Sequence, residues 1–149
     1  MKWCPIFQKG KDDDLEKVWL RAPGLFISGE DGSLKVVVSS TETGKFPEGE
    51  KTISNARIPQ GRWTHLAIVR DEKKIKLYVN GILDSIAPTE GFTLSNEHNL
   101  YLGGTPWHEG DCSVPMLLDE FRFYDKVIHE YEIEAEASPA LGGIEPSFV

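Results

Sequence analysis

The sequence predicts an all-β fold, an antiparallel β-sandwich with one short helix near its end. Three observations carry that expectation. Short apolar runs rich in β-branched residues alternate with turn residues about every eight to twelve positions. The stretch RWTHLAIVRDEKKIKLYVNG at 62–81 reads as two long strands reversed at the charged residues 71–74 and closed by Asn80-Gly81, the dipeptide best suited to a tight hairpin turn. The first of these strands is apolar on both faces, with Trp63, Ala67 and Val69 on one side and Leu66 and Ile68 on the other. A strand wetted on one face would alternate cleanly, so this one lies inside a sandwich or under covering segments.

The remaining elements follow in order. Residues 2–8 are a candidate strand and 9–16 (KGKDDDLE) a polar loop. Short strands at 17–21 and 24–28 flank Ala22-Pro23, a turn falls at 30–32, and 33–39 is a β-branched strand. Residues 41–51, rich in Gly, Pro and Glu, are an exposed loop, 52–56 a short strand, and 59–61 the turn into the central hairpin. After the hairpin come a strand at 82–87, a loop at 88–97, a strand at 99–102, an irregular segment at 104–114 and a final strand at 115–124. Over 125–137 the apolar residues Val127, Ile128, Tyr131 and Ala135 recur at helical spacing, with Asp125 as a candidate cap. Residues 138–149 (SPALGGIEPSFV) carry the Pro and Gly of a linker or tail, which leaves 1–137 as the domain.

A chain of 149 residues, 40% hydrophobic and 27% charged, is enough for one domain with a real core. Net charge of −8 argues against a nucleic-acid partner, since phosphate binding draws on clustered Lys and Arg. The basic residues 73–76 alternate with Ile75 and read as a solvated rim. No run of about 20 apolar residues is present to cross a bilayer as a helix. The opening MKWCPIF is too short for a secretory signal and runs directly into a strand, so the chain is expected to be a fragment of a longer multidomain protein.

The two cysteines, Cys4 and Cys112, are either two free thiols or one disulfide tying the first strand to the segment before the last. Such a bridge would close a loop worth about 4–5 kcal/mol in the chain-entropy model. The histidines, His65, His98, His108 and His129, form no metal-ligand spacing, and no nucleophile elbow occurs. Trp3, Trp19 and Trp63, within or beside strands, are expected in the core.

Four motifs in sequence carry a family resemblance. WTHLA followed by KLYVNG resembles the central hairpin of the laminin G-like domains, members of the concanavalin A-like lectin/glucanase group. PIFQKG at 5–10 is similar to an early strand of that family and NLYLGG at 99–104 to a later one. LDEFRFY at 118–124, followed by Glu132-Ile133, is similar to its last strand and trailing helix. The resemblance spans about residues 3–135 and implies a jelly-roll sandwich. The family's opening strand has no obvious counterpart.

The resemblance also frames the chemistry. Related glucan hydrolases place paired carboxylates on a strand, and the nearest local pattern, Glu130, Glu132, Glu134 and Glu136, lacks the central Asp and lies in the predicted helix. A non-enzyme is therefore expected. In relatives an Asp in the position of Asp119 coordinates calcium, which makes Asp119 the candidate metal ligand and calcium the candidate cofactor. The loop TPWHEGD (105–111), with Trp107, His108, Glu109 and Asp111, is the candidate ligand site. An indole in a polar loop can stack on a sugar or anchor a protein contact, or it can fold down over its own loop. The expected role is recognition or adhesion, with a glycan or protein partner and an extracellular or cell-surface location. The alternatives are a structural or assembly domain without a ligand of its own, or a remote glycan-processing enzyme.

Overall fold

The computed structural model describes residues 2–44, 49–108 and 114–141, with side chains through residue 138. Among the described residues, eight strands form two antiparallel sheets. β1 (Trp3–Asp13), β2 (Val18–Ser28), β3 (Leu34–Val38), β4 (Glu50–Ile53) and β8 (Leu100–Leu102) make a five-stranded sheet in the order β4-β3-β2-β1-β8. β5 (Leu66–Arg70), β6 (Lys74–Val79) and β7 (Ile82–Pro88) make a three-stranded meander. A 3₁₀ turn at Pro106–His108 and a helix, α1 (Glu130–Leu141), complete the fold.

The core follows from strand alternation. Leu34, Val36 and Val38 of β3 pack with Ile6, Leu25, Ile75 and Leu77 between the sheets, joined by Leu66, Ile68 and Val79. Every residue of β3 is buried, because Lys35 and Val37 face the other side of the sheet and are covered there too. Each such aliphatic side chain withdrawn from water contributes about 1.5–3 kcal/mol before the entropy of ordering is subtracted. On the outer face of the meander, Val69 and Tyr78 meet Ile133 of α1, with Ala67 and Ile128 alongside. The two apolar faces of β5 are thus explained: one meets the five-stranded sheet and the other meets the helix.

The central hairpin is built as its sequence predicts from Leu66 onward, while residues 62–65, expected in its first strand, lie outside β5. Asp71 accepts the backbone N–H groups of Lys73 and Lys74, fixing the charged reversal. Asn80 and Gly81 turn the chain with φ of 51° and 81°, the left-handed pair that a tight hairpin requires. The Asn80 side chain accepts the N–H of His65, and its own N–H donates to the His65 carbonyl. A Cβ on Gly81 would lie 3.1 Å from the Ala137 Cβ and 3.2 Å from the Glu134 Cα, so the middle of α1 sits directly on this turn.

Several expectations are corrected. The polar loop predicted at 9–16 is strand as far as Asp13, because its three aspartates are engaged: Asp12 pairs with Arg21, Asp13 with Lys11, and Asp14 accepts the Trp19 indole N–H. The two short strands around Ala22-Pro23 are one strand, running through a cis peptide. Residues 115–124 form no strand, since among the described residues no neighbouring strand pairs with them. The helix starts at Glu130, so Asp125 is not its cap; Glu132 instead accepts the His129 N–H, half of a capping box. The helix continues through residue 141, four residues into the predicted tail. Trp3, Trp19 and Trp63 are half-buried and lie outside both apolar clusters.

Candidate functional site

The face of the five-stranded sheet turned away from the core holds the chain's most unusual chemistry. The β1–β2 register shifts between Pro5 and Phe7 and between Gln8 and Gly10, the second opposite the cis Ala22-Pro23 peptide, reset the strand alternation. Trp3, Gln8 and Asp12 of β1, Trp19, Arg21 and Phe26 of β2, Lys35 of β3 and Tyr101 of β8 therefore share that face. Five of them form a row. The Arg21 guanidinium lies 5.1 Å from the Trp19 ring and 4.8 Å from the Phe26 ring. The Lys35 ammonium lies 5.6 Å from Phe26 and 4.9 Å from Trp3. Aromatic faces and cations thus alternate along the sheet, with Phe26 shared between two charges.

Arg21 and Lys35 are 6% and 9% exposed, a costly place for charge unless it is compensated. For Arg21 the compensation is explicit: its Nε and Nη2 donate to the two oxygens of Asp12 at 3.2 and 2.6 Å. Asp12 also accepts the Gln8 amide N–H at 2.8 Å, so three buried polar groups form one chain. Gln8 is fully buried and its Oε1 has no partner.

The candidate loop folds onto this same face. Thr105 Oγ1 and His108 Nδ1 are 2.6 Å apart, closing the 3₁₀ turn. The His108 ring meets Phe26 edge-on with centroids at 6.1 Å, and Trp107 meets Tyr101 likewise at 5.1 Å. Trp107 is half-buried, and its Nε1 is buried without a partner. The loop's indole is therefore docked on the sheet, and it remains open on one side. Around the sealed centre, Trp3, Trp19, Tyr101 and Trp107 are each half-exposed, four rings on one face of one sheet.

The other candidate residues stand apart. Asp119 is exposed, and its Oδ1 accepts the N–H of Glu120. Among the described residues no group of three or more His, Cys, Asp or Glu could hold an ion. Glu109, Asp111 and Cys112 lie outside the described residues. Cys4 is disulfide-bonded and buried. His65 is half-buried with Nδ1 unpartnered, and burial holds it below the ordinary imidazole value, against the opposing pull of Glu136.

Sequence reasoning found Trp107 and His108 but missed Arg21, Lys35, Phe26, Gln8 and Tyr101. The signal was present. LKVVV and VWLRA each place one cation inside an otherwise apolar strand, and a charge at a position that strand alternation buries needs a dedicated partner.

The family comparison agrees with the fold. The concanavalin A-like lectin/glucanases superfamily, through its third laminin G family model, matches residues 6–134. A crystal structure of an S-layer domain-containing protein from Clostridium thermocellum (residues 221–444) is similar at 19% identity and a TM-score of 0.39. That match covers 91% of this chain, which spans 63% of the other. No helix among the described residues is long and apolar enough to cross a membrane. The chain belongs to the concanavalin A-like lectin/glucanase superfamily, as a laminin G-like domain.

Proposed function

We propose that this domain is a non-catalytic recognition module of an extracellular or cell-surface protein, and that it binds a glycan across the rim of the five-stranded sheet. The observation that carries the reading is the set of four half-exposed rings, Trp3, Trp19, Tyr101 and Trp107, around one face. Indole and phenol rings offer flat apolar surfaces with polar edges, the complement of a sugar's C–H face and its hydroxyls. Asp12, a carboxylate of that face, is bound by Arg21 and Gln8, which suits a scaffold role better than acid–base work. Membership of a superfamily that contains lectins supports the same reading. Within it, Cys4 pairs with Cys112, the only other cysteine in the chain, and tethers the segment that carries Trp107.

The test is a glycan array followed by calorimetric titration of the best sugar. Trp107→Ala should weaken that sugar about tenfold or more while costing only about 1 kcal/mol of stability, the scale of one edge-to-face ring contact. An array without hits, or an unchanged affinity in the variant, removes the reading and leaves a structural domain. Calcium at Asp119 is tested alongside. Added calcium should raise the thermal midpoint of the wild type and leave Asp119→Asn unmoved; no shift in the wild type removes the ion from the proposal.

A further inference from the structure

We propose that residues 114–124 are a docking edge for an extended, basic and apolar peptide segment of a partner, which adds to this domain as a β-strand. Every residue from 117 to 127 is exposed. The exposed side chains include Leu117 (64%), Phe123 (61%), Leu118, Phe121 and Tyr124, an unusual density of large apolar groups for a soluble surface. The backbone is equally open: among the described residues, 114–124 makes no hydrogen bond to another backbone group. Glu120 is the exception, its N–H taken by the Asp119 carboxylate at a left-handed φ of 53°. On either side of it, open N–H and C=O groups beside apolar side chains make the surface that strand addition completes.

The patch extends onto the neighbouring sheet through Phe7. That ring meets Phe121 edge-on with centroids at 5.3 Å, and Phe7 lies directly opposite Leu102 in the β1–β8 ladder. Leu100 and Leu102 are themselves exposed, and β8 pairs only with β1 among the described strands. Met116 anchors the segment in the core, which holds the edge against the body of the domain.

Charge selects the occupant. Residues 114–126 carry three carboxylates, Asp119, Glu120 and Asp125, against two cations, Arg122 and Lys126, and Glu136 of α1 joins them through Arg122 and Tyr124. Arg122 is already bound by Glu120 and Glu136 at 3.2 and 2.9 Å. A second copy of this chain would bring two such acidic surfaces together, whereas a strand alternating apolar residues with Lys or Arg would be drawn to one. The proposal concerns a different surface from the aromatic rim and does not rest on the glycan reading.

The experiment uses the whole chain and three labelled synthetic peptides of about ten residues. One alternates valine with lysine, the second alternates valine with glutamate, and the third is the lysine peptide with N-methylated backbone amides. Fluorescence anisotropy should show saturable binding of the first, at least about tenfold weaker binding of the second, and none of the third. Hydrogen exchange should show new protection across 117–124 on binding the first peptide. Phe123→Asp should abolish binding with the circular dichroism and thermal midpoint unchanged, and Trp107→Ala should leave it intact. Absence of binding, equal binding of the glutamate or N-methylated peptide, or protection elsewhere would overturn the proposal. So would concentration-dependent dimerisation relieved by Phe123→Asp, which would make a second copy the occupant.

Discussion

The two sheets of this sandwich are both covered on their outer faces, by opposite means. Behind the three-stranded meander, α1 supplies Ile133 to Val69 and Tyr78, an apolar seat with no charge at its centre. Behind the five-stranded sheet, the covered centre holds Arg21, Lys35, Asp12 and Gln8 between aromatic rings. An apolar seat is tolerant, since its parts contribute separately and can relax. A buried polar chain is brittle, because removing one member strands the next without solvent or partner. The brittle face is the one that carries the half-exposed rings. That is where precise placement of side chains would matter for binding.

The largest expected effect follows from that contrast. Asp12→Ala removes the carboxylate that both Nε and Nη2 of the buried Arg21 guanidinium bind and should cost about 3–5 kcal/mol, read as a lowered urea midpoint. Combining it with Arg21→Met should recover a substantial part of the loss; if the double variant is as unstable as the single, the pair is not the origin of the cost. Next comes the apolar seat. Ile133→Ala, at a fully buried position, should cost about 2–4 kcal/mol by cavity formation. It should leave the β-sheet signal intact, and a loss below about 1 kcal/mol would mean that the helix contributes little to holding the meander.

The smallest effect compares the turns of the two sheets. Asp31, between β2 and β3, accepts the hydroxyl and backbone N–H of Ser33 and lies 3.1 Å from Arg57, which lowers its pKa from the ordinary 3.8 to about 2. Asp71, in the β5–β6 turn, is lowered chiefly by the Lys73 backbone N–H. A carboxylate whose folded-state pKa is depressed adds stability that is present above its unfolded value and lost as pH falls through the folded one. Stability should therefore fall between about pH 4 and pH 2, with a slope that Asp31→Ala reduces and Asp71→Ala reduces less. Equal slopes in all three proteins would show that neither turn contributes to the acid limb.

Much of the scaffold was legible in the chain because local rules and packing agree there. Residues 66–81 carry the strand alternation, the Asp-initiated reversal and the Asn-Gly turn, and these appear where those residue types place them. Misreadings arose where a distant partner decides. The acids at 12–14 look like loop until Arg21, Lys11 and Trp19 are seen beside them. Residues 115–124 have the composition of a strand, and composition cannot provide the neighbour a ladder needs. The loop at 105–111 could be picked out by its indole. That it docks against Tyr101 and Phe26 depends on which face of β8 and β2 those rings occupy, and this is set by a register the sequence does not display.

Glycine 81 has a consequence beyond its turn. Its left-handed backbone closes a local hairpin, while its missing side chain leaves room for a helix that arrives more than fifty residues later. The shortest-range and one of the longest-range contacts of this half of the molecule therefore meet on a single hydrogen atom. Grafting a different two-residue reversal here, even one ideal for the hairpin, would pry the helix from its seat unless it too ended in glycine.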